Sequence, residues 1–144
     1  MVDVRLVHQH DLPEIWPLVR QNVIDAAVFS NGRYTDKTAA DEVLAGSMQL
    51  WVIIEDEEII TSFITQVMRY PTGIKCCDIY ALGGNSIKKW LKPAIDAVSE
   101  WAEAAGCSSI EFVGRPGWEK MLKNWGKLSI MMELPIGDNY GRRG

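Results

Sequence analysis

The 144 residues are 47% hydrophobic and 24% charged, enough for one domain that buries about 68–70% of its unfolded surface without disulfide or metal staples. That composition matches no disordered, collagen-like or repeat-built chain. Fifteen Lys+Arg against nineteen Asp+Glu give a net charge of −4, which excludes a broad surface for nucleic acid or anionic membrane.

Val2 to Val7 alternates polar and apolar residues as a strand does, and it breaks at His8-Gln-His-Asp-Leu-Pro. There Asp11 is placed to cap a helix carrying Pro13 in its first turn. Ile15, Trp16, Leu18, Val19, Val23, Ile24 and Ala27 recur at helical spacing, with Pro17 expected to bend the early turns. Ser30-Asn-Gly-Arg ends that helix. Thr35 or Asp36 can cap a second, shorter one, with Ala39, Ala40, Val43 and Leu44 on one face and Gly46 at its exit.

Leu50 to Glu55, Glu58 to Tyr70 and Ile74 to Leu82 are β-branched or aromatic runs split by Asp56-Glu57 and by Pro71-Thr-Gly73, which predicts an antiparallel meander. The acidic cluster Glu55 to Glu58 reads as a solvated turn rather than a metal site. Asn85 or Ser86 can cap a long helix with apolar residues Ile87, Trp90, Leu91, Ala94, Ile95, Val98, Trp101, Ala102 and Ala105, ending at Gly106. Pro93 predicts a kink near Lys89 to Lys92. Ser109 to Val113 reads as a buried strand, Pro116 to Trp125 as a short helix closed by Gly126, and Leu128 to Ile136 as a final strand. The expected domain therefore spans residues 1–136, with 137–144 as a polar tail.

The N-terminus has no basic-then-apolar leader, and no segment approaches the roughly 18 apolar residues of a membrane span. Cys76, Cys77 and Cys107 are an odd number, with the adjacent pair on opposite faces of a strand. They suit neither a disulfide framework nor a tetrahedral metal site and read as small buried residues. A reducing, cytoplasmic setting is the expectation. His8 and His10 can share a strand face, but no third ligand lies near, so no metal is implied. Of the six tryptophans, Trp90 and Trp101 fall on the long helix's apolar stripe. Trp118 and Trp125 share a face that serves a core or a partner.

The element order is strand, helix, helix, three-strand meander, long helix, strand, short helix, strand. With Val4-Arg-Leu-Val, Asp11-Leu-Pro-Glu-Ile and Ala102-Glu-Ala-Ala-Gly-Cys-Ser-Ser-Ile-Glu-Phe-Val, that order resembles the GNAT acetyltransferase superfamily, in particular small GNAT-like proteins of tailed phages. The resemblance implies an α/β fold with a mixed, mostly antiparallel sheet of about six strands and helices on both faces. It also implies acetyl-CoA as cofactor, bound where amides at the long helix's N-terminus meet the pyrophosphate. The corresponding positions are Leu82, Gly83, Gly84, Asn85, Ser86 and Lys88, without the Arg or Gln that leads the loop in the family.

Where members carry a tyrosine that protonates the departing sulfur, this chain has Leu122, and Arg115 replaces the usual asparagine at the start of the short helix. These departures point to a binding or structural module with weak or no acetyl transfer, virion-associated if phage-encoded. An active N-acetyltransferase on a small or protein amine and a Trp-based protein adaptor are the alternatives. Asp78 is the candidate base, with Tyr80 two residues on and therefore on the same strand face. Lys88, Lys89 and Lys92 either join an anion site or form a solvated stripe in which Lys92 pairs with Asp96. A homo-oligomer or a protein partner is expected rather than nucleic acid or membrane.

Overall fold

Alternation along the strands decides what the sheet packs against, because successive side chains leave a strand on opposite faces. In the computed structural model the residues described are 1–30, 32–80, 82, 86–112, 118, 120–126, 128 and 131–137. The chain forms two compact units, Met1–Val113 and Gly114–Gly144. In the first, β1 (Asp3–Leu6) precedes α1 (Leu12–Ala27) and α2 (Asp36–Ala45). Next come β2 (Gln49–Glu55), β3 (Glu58–Arg69), β4 (Lys75–Tyr80), α3 (Ile87–Ala104) and β5 (Ser109–Phe112). The sheet runs β1-β2-β3-β4-β5. All neighbours are antiparallel except β4 and β5, which pair in parallel from Cys76/Ser109 to Ile79/Phe112.

On β2, Leu50 and Val52 join Ile64, Val19, Val23, Ala39 and Val43 under α1 and α2. Trp51 and Ile53 join Phe63, Cys77, Ile79, Trp90, Ala94 and Val98 under α3. Helices therefore cover both faces, as expected. Trp90 is fully buried, and Trp51 stacks on Phe63 at 5.8 Å while meeting Trp101 edge-on at 5.8 Å. The buried Trp51 indole donates to Thr65 Oγ1 at 3.0 Å, and that hydroxyl donates to Gln49 Oε1 at 3.0 Å, so the polar atoms in this core are satisfied.

Several local expectations change. Asp11 occupies the α1 N-cap position but makes no capping hydrogen bond. A 3₁₀ turn at Gln9–Asp11 brings its backbone in already helical, so the side chain is not positioned over the open amides. Thr35 does form a capping box, with Thr38. Ser86 precedes α3 in the left-handed region (φ 59°, ψ 36°) and its hydroxyl caps nothing. Asn85 lies outside the described residues. Pro93 lies inside α3, as expected.

In the second unit, the amides of Met121 and Leu122 both donate to the Trp118 carbonyl at 3.0 Å, and no α-helix forms among the described residues. The expected final strand is also absent there. Residues 128 and 131–136 are in no strand, and Leu128, Met131, Met132, Leu134 and Ile136 are exposed. A β-rich run states a propensity, whereas a strand needs a partner, and Pro135 removes a ladder donor from this one. Among the described residues the sheet therefore has five strands rather than about six. Of the six tryptophans, Trp51, Trp90 and Trp118 are buried and Trp16, Trp101 and Trp125 half-buried.

Candidate functional site: a polar sheet face on β4 and β5

β4 sends Cys77 and Ile79 into the α3 core, so Cys76, Asp78 and Tyr80 face the other way, toward the side covered by α1 and α2. Cys76 and Cys77 are buried and Cys107 is half-buried, all as free thiols. The parallel register sets Asp78 beside Glu111, and the antiparallel one sets it beside Gln66. Asp78, Tyr80, Gln66 and Glu111 are all half-buried. Neighbouring strands lie about 4.8 Å apart, so the two carboxyl-bearing residues stand abreast. Tyr80 donates a long hydrogen bond of 3.3 Å to Asp78 Oδ2, and Tyr34, from the α1–α2 connection, meets the Tyr80 ring edge-on at 6.1 Å.

Asp78 Oδ1 is buried and has no hydrogen-bond partner among the described residues. Burial, and then the negative charge of Glu111, push the Asp78 carboxyl above the usual carboxylate range, and the Tyr80 hydrogen bond draws it partly back. Burial and Asp78 push Tyr80 up to about 12, so the phenol stays protonated at neutral pH and serves as a donor that orients Asp78. Glu111 also raises the Cys76 thiol through a hydrogen bond and is the main cause of the raised Tyr70. Neither Asp78 nor Glu111 has a cationic partner among the described residues. A carboxylate with raised proton affinity and one free oxygen can take a proton from an ammonium, and the pair attracts a cation.

The structure brings Asp78 and Tyr80 together and adds Glu111, which the sequence reading did not single out. The available signal was a glutamate inside the apolar run Ser109 to Val113, but its pairing with Asp78 depends on register. Of the expected cofactor positions, Leu82 packs partly buried against the α3 core, while Gly83, Gly84 and Asn85 lie outside the described residues. Lys88 is exposed and has no acidic partner among the described residues. Lys89 pairs with Glu55 at 2.6 Å and Lys92 with Asp96 at 2.9 Å. The acidic turn thus serves the helix: Glu55 offsets a cation in the first turn of α3, where the macrodipole disfavours it.

Ser86 makes no side-chain capping bond, the first amides of α3, at Ile87 and Lys88, have no partner within the helix, and that end together with Lys88 suits an anionic group such as a CoA phosphate. β4 and β5 stay paired through Ile79/Phe112. Residues 81 and 113, where they would part, are outside the described residues. His8 and His10 are exposed with ring centroids 5.1 Å apart. No cluster of three or more His, Cys, Asp or Glu set to hold a metal occurs among the described residues. No helix there is long and apolar enough to cross a membrane.

No family model matches the sequence, and no curated protein matches it either. Solved structures do. An aminoglycoside acetyltransferase from an uncultured soil metagenomic sample superposes with a TM-score of 0.72 at 11% identity, covering 95% of this chain and 99% of that one. A predicted acetyltransferase from Clostridium acetobutylicum, solved with acetyl-CoA, gives 0.65 at 15% identity over 95% and 96%. Glucosamine-6-phosphate N-acetyltransferase from Arabidopsis thaliana gives 0.65 at 13% identity over 95% and 99%. The chain has the GNAT acetyltransferase fold.

Proposed function

We propose that this GNAT-fold chain binds an amine-bearing ligand on the Asp78–Glu111 face and transfers acetyl groups weakly or not at all. The observation that carries the binding half is the Asp78 carboxylate: one oxygen is held by Tyr80, the other is buried without a partner, and Glu111 lies abreast. An ammonium placed there would supply the missing donor and offset both charges. Weak transfer is supported by Leu122, which has no proton to give a departing thiolate, and by the engagement of Lys89 and Lys92 with Glu55 and Asp96.

Acetyl-CoA, when bound, supplies the acetyl thioester. The N-terminal amides of α3 at Ile87 and Lys88, together with the Lys88 side chain, would hold its phosphates. In that complex Asp78 accepts the ammonium proton at a carboxylate oxygen and Tyr80 keeps the carboxylate oriented. A second reading, efficient N-acetyl transfer, is favoured by the raised proton affinity of Asp78, which makes it a stronger proton acceptor than an ordinary carboxylate.

Calorimetry of the full chain with spermidine, glucosamine and acetyl-CoA separates the two. The proposed reading expects amine binding that drops at least about tenfold in Asp78→Asn, roughly 1.4 kcal/mol, with only trace acetylated amine by mass spectrometry. Steady turnover that Asp78→Asn abolishes would establish the second reading instead, and binding indifferent to both Asp78→Asn and Glu111→Gln would refute the site.

A further inference from the structure

β3 outruns β2. Gln49 pairs with Thr65 as the last rung between them, while β3 continues to Arg69 beside β4. β2 starts no earlier because α2 ends on Gly46 in the left-handed conformation (φ 86°). The amides of Ser47 and Met48 then both turn back to the Glu42 carbonyl, at 3.0 and 3.2 Å. Antiparallel bonding alternates along a strand. The Tyr70 amide donates to the Ile74 carbonyl at 2.9 Å, so Met68 and Gln66 also bond toward β4. The N–H and C=O groups of Val67 and Arg69 therefore point to the free edge.

That edge lies in an open cleft of about 510 Å³ between the Gly46–Ser47 corner, Gln49, the half-buried Trp101 and Ala105 at the end of α3. Its charge is positive. Arg69 and Lys75 are direct cross-strand partners, an arrangement of like charges that disfavours the pair unless something negative lies near. Lys75 donates to the Ala105 carbonyl at the α3 C-terminus, and Arg69 is exposed with no acidic partner among the described residues.

We propose that the free edge of β3 at Val67 and Arg69 is a docking strip for an extended acidic segment of a partner protein, which adds a short strand there. The backbone groups of Val67 and Arg69 supply the ladder, Arg69 meets a carboxylate on the α3 face of the added strand with Lys75 adding positive charge at the same rung, and Trp101 gives the apolar wall. The strip is independent of the Asp78 face: Arg69 and Lys75 lie on the α3 side of the sheet, Asp78 on the other.

The test uses the full chain, NMR amide spectra and three capped hexapeptides: alternating Glu-Val, alternating Lys-Val, and the Glu-Val peptide N-methylated at alternate residues. The Glu-Val peptide is expected to shift and slow the exchange of the Val67 and Arg69 amides, with affinity falling at least about tenfold in Arg69→Glu. The N-methylated and Lys-Val peptides are expected not to bind. Absence of shifts at millimolar Glu-Val peptide overturns the proposal. So does equal binding of the N-methylated peptide, which would mark a charged patch with no strand addition; this arm needs no variant to fold.

Discussion

Asp78 sits where a strand residue is neither fully wetted nor fully paired, and its ionisation carries a cost that the unfolded chain does not bear. Its folded proton affinity is raised above the ordinary carboxylate value, first by burial and then by Glu111. The native state therefore holds more protons than the unfolded one between those two values, and stability falls as pH rises through that window. The favourable contribution is complete below the ordinary value of 3.8 and lost above the raised one. Asp78→Asn is expected to raise Tm at pH 7, with the advantage over the parent shrinking as pH is lowered toward 4; thermal melts across pH 3.5–7.5 check it. An unchanged difference across that range would mean the carboxyl is as solvated as in the unfolded chain. The i, i+2 spacing of Asp78 and Tyr80 was legible because strand geometry alone puts both on one face. Glu111 was not, since a one-residue slip of β5 would have sent it to the opposite face.

At the scale of elements, the β2–β3 hairpin turns on Asp56 and Glu57, both in the left-handed region at φ 51° and 66°. Two positive φ values in a two-residue loop match the twist of the flanking strands, which is why Asn-Gly and Asp-Gly dominate such turns. Left-handed geometry costs a non-glycine residue about 1–2 kcal/mol, and glycine returns part of that through the unfolded state. Glu57→Gly is expected to stabilise by about 0.5–1 kcal/mol in urea unfolding with an unchanged m-value; a loss of stability would mean the Glu57 side chain holds the turn by a contact of its own. The Asp56-Glu57 break and the Thr35 cap were both readable, because each depends on residues within one turn. The Asp11 cap failed as a reading because the preceding 3₁₀ turn already set its backbone. Leu128 to Ile136 failed because alternation cannot name the strand that would pair with it, and Pro135 counts against any.

Across the first unit, β4 lies within the sheet, and its thiols report how that core opens. Cys76 and Cys77 are 2% and 0% exposed, burial pushes the Cys77 thiol up to about 12, and Cys107 is only half-buried. A disulfide reagent at pH 8 is expected to modify Cys107 first in the native protein, with Cys76 and Cys77 reacting only at the rate of unfolding. Rapid native labelling of Cys77 would show that the sheet opens locally at β4. The sequence by itself determined the element order as far as β5, the faces of α3 and the absence of a disulfide framework, because periodicity, turn residues and cysteine spacing act over a few residues. Only the tertiary structure decided that Glu111 stands beside Asp78, that Glu55 answers Lys89, and that β3 extends past β2 with an open edge. Those facts depend on register between segments distant in the chain, and register is set by which side chains the two helical layers bury.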